Sequence, residues 1–284
     1  MAGIPASTPT APQSISALAG NGEVTLAWTA PSSAGGSPVL RYVVERYDTG
    51  TSSWVVVDNN VTALSLLVTG LTNGTAYDFR VSAINSAGTG ASTALATSVT
   101  PATVPSAAVI TSTFSNNTSV EINWSAAASN GSAITGYKVQ QSIAGAAWST
   151  LATVSAATLT YTSSGLTNGV PVSLRVIAVN GVGEGPYSNT TDAVPVASAG
   201  TPTSLSAVAG DAYVLLSWTP PAAIGGTPIT GYLIEKRTTS SGWSTVATTT
   251  NPATGYAVMG LTNGTAYQFQ VSAVNRVGNS SASS

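Results

Sequence analysis

Leu71-Thr72-Asn73-Gly74-Thr75-Ala76-Tyr77-Asp78-Phe79-Arg80-Val81-Ser82-Ala83-Ile84-Asn85 is the stretch that decides how this 284-residue chain folds. Tyr77, Phe79, Val81 and Ala83 alternate with Asp78, Arg80, Ser82 and Ile84. A period of two is that of a strand with one face toward a core. Thr72-Asn73-Gly74 ahead of it is turn chemistry, since Asn and Gly tolerate positive φ. Asn85 followed by Gly88 ends the strand in the same way. The stretch returns as Leu166 to Asn180 and as Leu261 to Asn275, 95 residues on each time. That period is too long for a solenoid unit of roughly 20–50 residues and fits one independent β-sandwich. Length alone suggests about two domains at roughly 150 residues each, but the repeat overrides it and predicts three.

Working outward, the rest of each repeat follows. In the first, Val24, Leu26 and Trp28 alternate inward, Tyr42 to Arg46 and Trp54 to Val57 read as strands, and Ser65 to Val68 leads into Leu71. Ser92 to Thr100 closes the domain. The second repeat offers Val120, Ile122, Trp124, Tyr137 and Trp148, and the third Val214, Leu216, Trp218, Tyr232 and Trp243. All six Trp are thereby used as three equivalent pairs. About seven short strands per unit, separated by turns, predict an antiparallel sandwich. The boundaries read as a flexible lead or linker over 1–11 and domains over 12–101, 102–197 and 198–284.

At this point the resemblance is plain. The Trp on an early strand, the Tyr on the next, the Leu before the turn and the Tyr six residues after it resemble fibronectin type III domains. Gly36-Ser37-Pro38-Val39-Leu40-Arg41-Tyr42 and Leu71 to Tyr77 are most similar to bacterial and bacteriophage versions. The resemblance implies an all-β fold of three immunoglobulin-like sandwiches in an elongated array. It says little about function, because one fold hosts many.

Two departures stand out. Val172 occupies the position of Tyr77 and Tyr267. The family's corner Tyr bonds the backbone near the Leu, so its loss forfeits roughly 0.5–1.5 kcal/mol and predicts a looser second corner. Only nine residues follow Asn275, against 15 between Asn85 and the end of the first domain. The expectation is that most of the final strand is missing from the third domain. Either the chain continues beyond Ser284, or a partner supplies the strand by β-augmentation.

The charged fraction is 6% and the formal net charge −2, against a usual charged fraction of about 25%. No basic patch engages phosphates, which argues against nucleic acid. There is no Cys and no His. A nucleophile therefore lacks its usual base, and zinc lacks its usual ligands. Only Lys138 and Lys236 could form a Ser–Lys pair, and both fall on predicted strands. The ten carboxylates are scattered, without a calcium pattern. Gly181 to Gly185 follows a strand with no helix after it, and so reads as a hairpin and not a phosphate loop. We expect no catalytic, cofactor or metal site. Residues 1–11 have no basic or apolar signal-peptide region, and no apolar run approaches the ~18 residues of a membrane span.

Trp54, Trp148 and Trp243 are the candidate ligand-stacking residues, because a sugar ring can lie on an exposed indole. The expected function is a non-catalytic structural or display rod on a virion surface (capsid decoration or tail appendage) or on a bacterial cell surface. The alternatives are a glycan- or host-binding adhesin, and the spacer arm of a polysaccharide-degrading enzyme. Expected partners are capsid, tail or surface proteins, a second copy donating a strand at the C-terminus, or host glycans.

Overall fold

The structure is a computed structural model, and it describes residues 5–283. Every regular element among them is a β-strand. The part of the lead before Pro5 lies outside the described residues.

The first repeat forms β1 (Gln13–Ala19), β2 (Val24–Thr29), β3 (Arg41–Asp48), β4 (Ser53–Val61), β5 (Ser65–Val68), β6 (Phe79–Asn85) and β7 (Gly88–Ala94). One sheet has the order β1-β2-β5 and the other β4-β3-β6-β7. The alternation read from the sequence is the core: Val24, Leu26 and Trp28 of β2 meet Tyr42 and Val44 of β3 and Phe79, Val81 and Ala83 of β6. Trp28 and Tyr42 pack edge to face with ring centroids 5.5 Å apart.

The second repeat forms β8 (Val109–Asn116), β9 (Ser119–Ser125), β10 (Ile134–Ile143), β11 (Ser149–Ser155), β12 (Thr160–Ser164), β13 (Val172–Asn180), β14 (Glu184–Tyr187) and β15 (Thr191–Ala193). Its sheets run β12-β9-β8 and β11-β10-β13-β14, with β15 also on β13. The third repeat forms β16 (Thr203–Ala209), β17 (Tyr213–Thr219), β18 (Ile229–Thr238), β19 (Ser244–Thr248), β20 (Gly255–Met259), β21 (Tyr267–Asn275) and β22 (Gly278–Asn279). Its sheets run β16-β17-β20 and β19-β18-β21-β22.

Backbone contacts divide the chain into two compact units. One holds the residues up to Ala108 together with Ala127–Tyr137 and Ile177–Tyr187. The other holds Val109–Ala126, Lys138–Val176 and Ser188–Ser284. The division runs through the second repeat, because two of its loops cluster with the first.

Two expectations need correction. The lead is not loose where it is described. Ser7 N–H donates to Gly35 O and Thr10 N–H to Ser33 O at 2.8 and 3.0 Å. The Thr93 hydroxyl donates to Pro12 O, so 7–12 lie against the first domain. A strand missing from the sequence reading, β1, pairs with β2 across a bulge between Gln13 and Ser16. The Tyr corners are closed by the hydroxyl bond that the sequence leads us to expect. Tyr77 Oη accepts the Thr72 N–H at 2.9 Å and Tyr267 Oη the Thr262 N–H at 3.3 Å. Val172 has no hydroxyl to offer; its backbone pairs with Ala193, and Ser173 and Leu174 with Asp192 and Thr191, as the Tyr77 backbone pairs with Val99 in the first domain. The pairing is common to both corners, and the second lacks only the hydroxyl bond; melting the isolated domains should show the second corner as the weaker one.

The Thr72 and Thr262 N–H groups favour the phenolates of Tyr77 and Tyr267 and hold both below the usual Tyr pKa, while burial pushes Tyr42 above it. A group raised on folding stabilises below its unfolded pKa and loses that contribution as pH rises through the folded one. For Tyr42 that window opens near the ordinary value of about 10. An ultraviolet alkaline titration should show Tyr77 and Tyr267 ionising ahead of Tyr42. The Tyr77→Phe variant should lose the earliest part of the curve and about 0.5–1.5 kcal/mol of first-domain stability. An unchanged curve would contradict the assignment.

The outer side of Tyr267–Phe269 has no strand partner among the described residues. Phe79 and Leu174, at the equivalent position, are fully buried, whereas Phe269 is only half-buried.

Candidate functional site

Each of the three candidate indoles carries a guanidinium. Arg80 lies 4.5 Å from the Trp54 ring centroid, Arg175 4.1 Å from that of Trp148, and Arg237 4.6 Å from that of Trp243. In the first domain Arg80 reaches across from β6 and is fixed by Glu45 of β3 through Nε and Nη2 at 2.6 and 3.0 Å. Tyr47 meets Trp54 edge to face at 5.4 Å. In the second, Arg175 Nε donates to Gln140 Oε1 at 2.8 Å. In the third, Gln270 stands in the place of Arg80 and Arg175 and donates to Glu235 at 2.7 Å. The cation comes there from β18, as Arg237, held by Gln268 at 2.7 Å. The stack is thus kept although the residue supplying it changes strand.

Trp54 and Trp148 are half-buried, and Trp243 is 37% exposed. Each indole belongs to its own domain. A cation over an aromatic face contributes about 0.5–1 kcal/mol at exposed sites. Arg80→Ala should therefore cost roughly 1 kcal/mol and shift Trp54 emission to the red. An unchanged emission maximum would show that the guanidinium does not shield this ring.

The structure draws attention to other residues, those of the turns. The stretch Leu71-Thr72-Asn73-Gly74 is a clamp with a specific use for each residue. Leu71 N–H donates to Gly22 O at 2.9 Å. Asn73 Oδ1 accepts the Gly22 N–H at 2.8 Å, and Asn73 Nδ2 donates to Asn21. Asn168 repeats this with Thr118 and Asn117, and Asn263 with Ala212 and Asp211. The turn is thereby pinned to the hairpin between the first two strands of its own domain.

The glycine of the turn then faces outward to the next domain. Gly74, at φ +84°, sits so close to Gly131 that a Cβ on it would lie 3.3 Å from the Gly131 Cα. Its N–H donates to Pro101 O at 2.9 Å. In the second copy Gly169, at φ +85°, meets Gly226 in the same way and donates to Pro195 O at 2.9 Å. Backbone touches backbone at both places, and only glycine leaves the room and the left-handed φ.

The strand-ending Asn is the third part of the joint. Asn180 is 5% exposed. Its Nδ2 donates to Thr103 O, Ser129 O and Ser132 O at 2.8, 3.1 and 3.3 Å, and its Oδ1 accepts the Val182 and Gly183 N–H groups. Asn85 ties Ser7 O to Ala34 O, and Asn275 ties Ala197 O to Ile224 O. Each therefore binds the segment entering its domain to that domain's glycine loop, which in the second and third domains meets the preceding turn.

A methyl at 226 would overlap Gly169 N and lie 2.7 Å from Asn168 C. Gly226→Ala should open this joint and expose the Gly169 N–H to exchange. Gly264→Ala provides the control, because it bears a similar φ, +82°, in open space. Left-handed strain of about 1–2 kcal/mol is common to both. Equal Gly169 exchange in the two variants would dismiss the joint.

Among the described residues no group of three or more His, Cys, Asp or Glu side chains lies together. Among the same residues no helix is long and apolar enough to cross a membrane.

The fold and the joints define a protein of tandem immunoglobulin-like sandwiches coupled through backbone contacts at their turns. The model of the fibronectin type III domain matches residues 8–99, 105–194 and 200–284, and the chain belongs to that family. It is 33% identical over 294 residues to exoglucanase B of Cellulomonas fimi, which covers 97% of this chain and 25% of that protein. It is 30% identical over 268 residues to human myomesin-2, covering 90% of this chain and 18% of that one. Titin of Drosophila melanogaster is 30% identical over 283 residues, 90% of this chain and 2% of titin. The chain thus spans a quarter or less of these relatives. The crystal structure of chicken CNTN1 FN1-FN3 domains aligns with 98% of this chain and 97% of that one, at 20% identity and a TM-score of 0.39.

Proposed function

We propose that this chain is a non-catalytic structural spacer, whose domains hold their neighbours at set intervals on a virion surface or a bacterial cell surface. The observation that carries the reading is the glycine-seated joint, made twice with the same partners: turn glycine, loop glycine and linker proline carbonyl. A flexible tether has no use for backbone contacts that a single methyl would disrupt. The likeness to myomesin-2 and titin over 90% of this chain supports a structural or spacer role.

A second reading is favoured by the likeness to exoglucanase B over 97% of this chain. There the same spacer would sit beside a polysaccharide-degrading catalytic domain. Partners in either setting are proteins flanking or underlying the array.

The test is whether neighbouring domains tumble together. Residual dipolar couplings on the intact chain should give the second and third domains one alignment tensor. Independent tensors would refute the spacer. Binding of cellulose or arrayed glycans that is lost in Trp243→Ala would replace it with a carbohydrate-recognition role.

A further inference from the structure

A cleft of about 590 Å³ opens beside the turn that joins β21 to β22. Thr113 and Ser115 of β8, Asp192 of β15 and Arg276 of the turn line it, with Val194 and Val277 adding apolar surface. Every lining residue belongs to the second compact unit. The volume falls within the roughly 300–1,000 Å³ of small-molecule sites.

Two opposite charges share this cleft without neutralising each other. Arg276 is exposed and meets no acceptor among the described residues, so its five N–H groups are free to donate. Asp192 uses one oxygen, Oδ1, to accept the Ser173 hydroxyl at 2.5 Å, and among the described residues its Oδ2 accepts nothing. No ion pair joins it to Arg276. In a chain with a charged fraction of 6%, such a pair stands out.

The repeat does not require it. Gly181 holds the place of Arg276 one repeat earlier. In the first domain the carboxylate is Asp78, at the position of Ser173, and Ser98 donates to it at 2.6 Å. Hydroxyl and carboxylate have changed places, which brings the carboxylate of the second domain into the cleft. The corresponding cleft of the first domain, about 390 Å³, is lined by Ala17, Ser98 and Thr100 among others and by no charged residue. The Gly74–Gly131 joint forms with neither charge, so the pair in the second unit has a use other than holding the joint.

We propose that this cleft binds a neutral saccharide, with Asp192 accepting from its hydroxyls and Arg276 donating to its oxygens. An anion would face Asp192 and a cation would face Arg276, so a net charge of either sign is disfavoured. A ligand whose groups both donate and accept is served by both side chains, and Thr113 and Ser115 can play either part. Val194 and Val277 suit the C–H face of a ring. The site is separate from the three indoles, whose faces carry guanidinium groups, and it is independent of the spacer role. With few contacts per ring, half-saturation is expected on the order of 1 mM.

Amide NMR titration of the full chain with cellotetraose, maltotetraose and mannotetraose, each to about 20 mM, tests this. At least one should shift the amides of Asp192, Val194, Arg276 and Val277 and leave those of Trp54 and Trp148 still. Arg276→Gly and Asp192→Ser copy the residues found at the equivalent places one repeat earlier, and each should weaken binding about tenfold. Trp243→Ala should bind as wild type does. No shift with any of the three sugars overturns the proposal and leaves the spacer reading intact. Binding kept in full by both variants places the sugar on another surface and also overturns it. Larger shifts from glycine betaine at equal concentration would assign the cleft to a zwitterion instead.

Discussion

Replacing Asn180 by alanine is expected to lower the stability of the second domain by about 2–4 kcal/mol, because a buried amide is lost and several part-buried backbone groups lose its bonds together. The side chain makes three donated contacts and accepts two. Its removal leaves Thr103 O and Ser132 O short of a donor in a part-buried place, while Ser129 O keeps the Ser132 N–H at 3.2 Å. Each unsatisfied buried group costs about 1–3 kcal/mol, and partial relaxation keeps the total below the simple sum. The effect has a second part, since Thr103 lies on the segment entering the domain and Ser129 and Ser132 on the loop that carries Gly131. The variant should therefore also loosen the joint at Gly74. Urea unfolding reads the first part and amide exchange at Gly74 the second. Asn180→Asp keeps the acceptor and loses the donor, so it should recover the turn at Val182 and Gly183 but not the joint. A variant with wild-type stability would show that these contacts are incidental.

Phe79→Ala should cost about 3–5 kcal/mol, the range for truncating a buried aromatic and leaving a cavity. Phe79 is fully buried among Val24, Leu26, Tyr42 and Val81. The equivalent Phe269→Ala should cost less, about 1–2 kcal/mol, because part of that ring already meets solvent. Urea unfolding of the two variants gives the comparison directly. Equal losses would mean that the third domain closes over Phe269 more fully than its half-buried state implies.

The fold was legible in the sequence because its strongest signals are periodic. Phe79, Val81 and Ala83 alternate, and they recur as Leu174, Val176 and Ala178 and, with Val271 and Ala273, in the third repeat. Their inward face and the Trp28–Tyr42 and Trp218–Tyr232 pairs follow from that pattern alone. The first strand was not legible. Its bulge puts Ser14 at φ +52° and breaks the alternation between Gln13 and Ser16, and Leu18 faces solvent.

The joint was half visible. Asn73 and Gly74 look like any turn, and their clamp on Asn21 and Gly22 depends on a hairpin 51 residues away. Gly131 lies in Asn130-Gly131, which marks a turn but not what meets it. The available signal was double recurrence, since Gly36, Gly131 and Gly226 repeat with the same period as Gly74, Gly169 and Gly264. The stacked cations were hidden for the opposite reason. Periodicity points to Gln270 where Arg80 and Arg175 stand, but the guanidinium over Trp243 comes from Arg237 on another strand.

The most direct measurement is amide exchange of the three turn glycines in dilute intact protein, where each turn reports on its own neighbour. Gly74 and Gly169, whose N–H groups are held by Pro101 O and Pro195 O, should be protected well beyond a free loop, and Gly264 should exchange at the free-loop rate. Three equal rates at the free-loop value would mean that the domains are strung on open linkers, and the spacer account would be wrong.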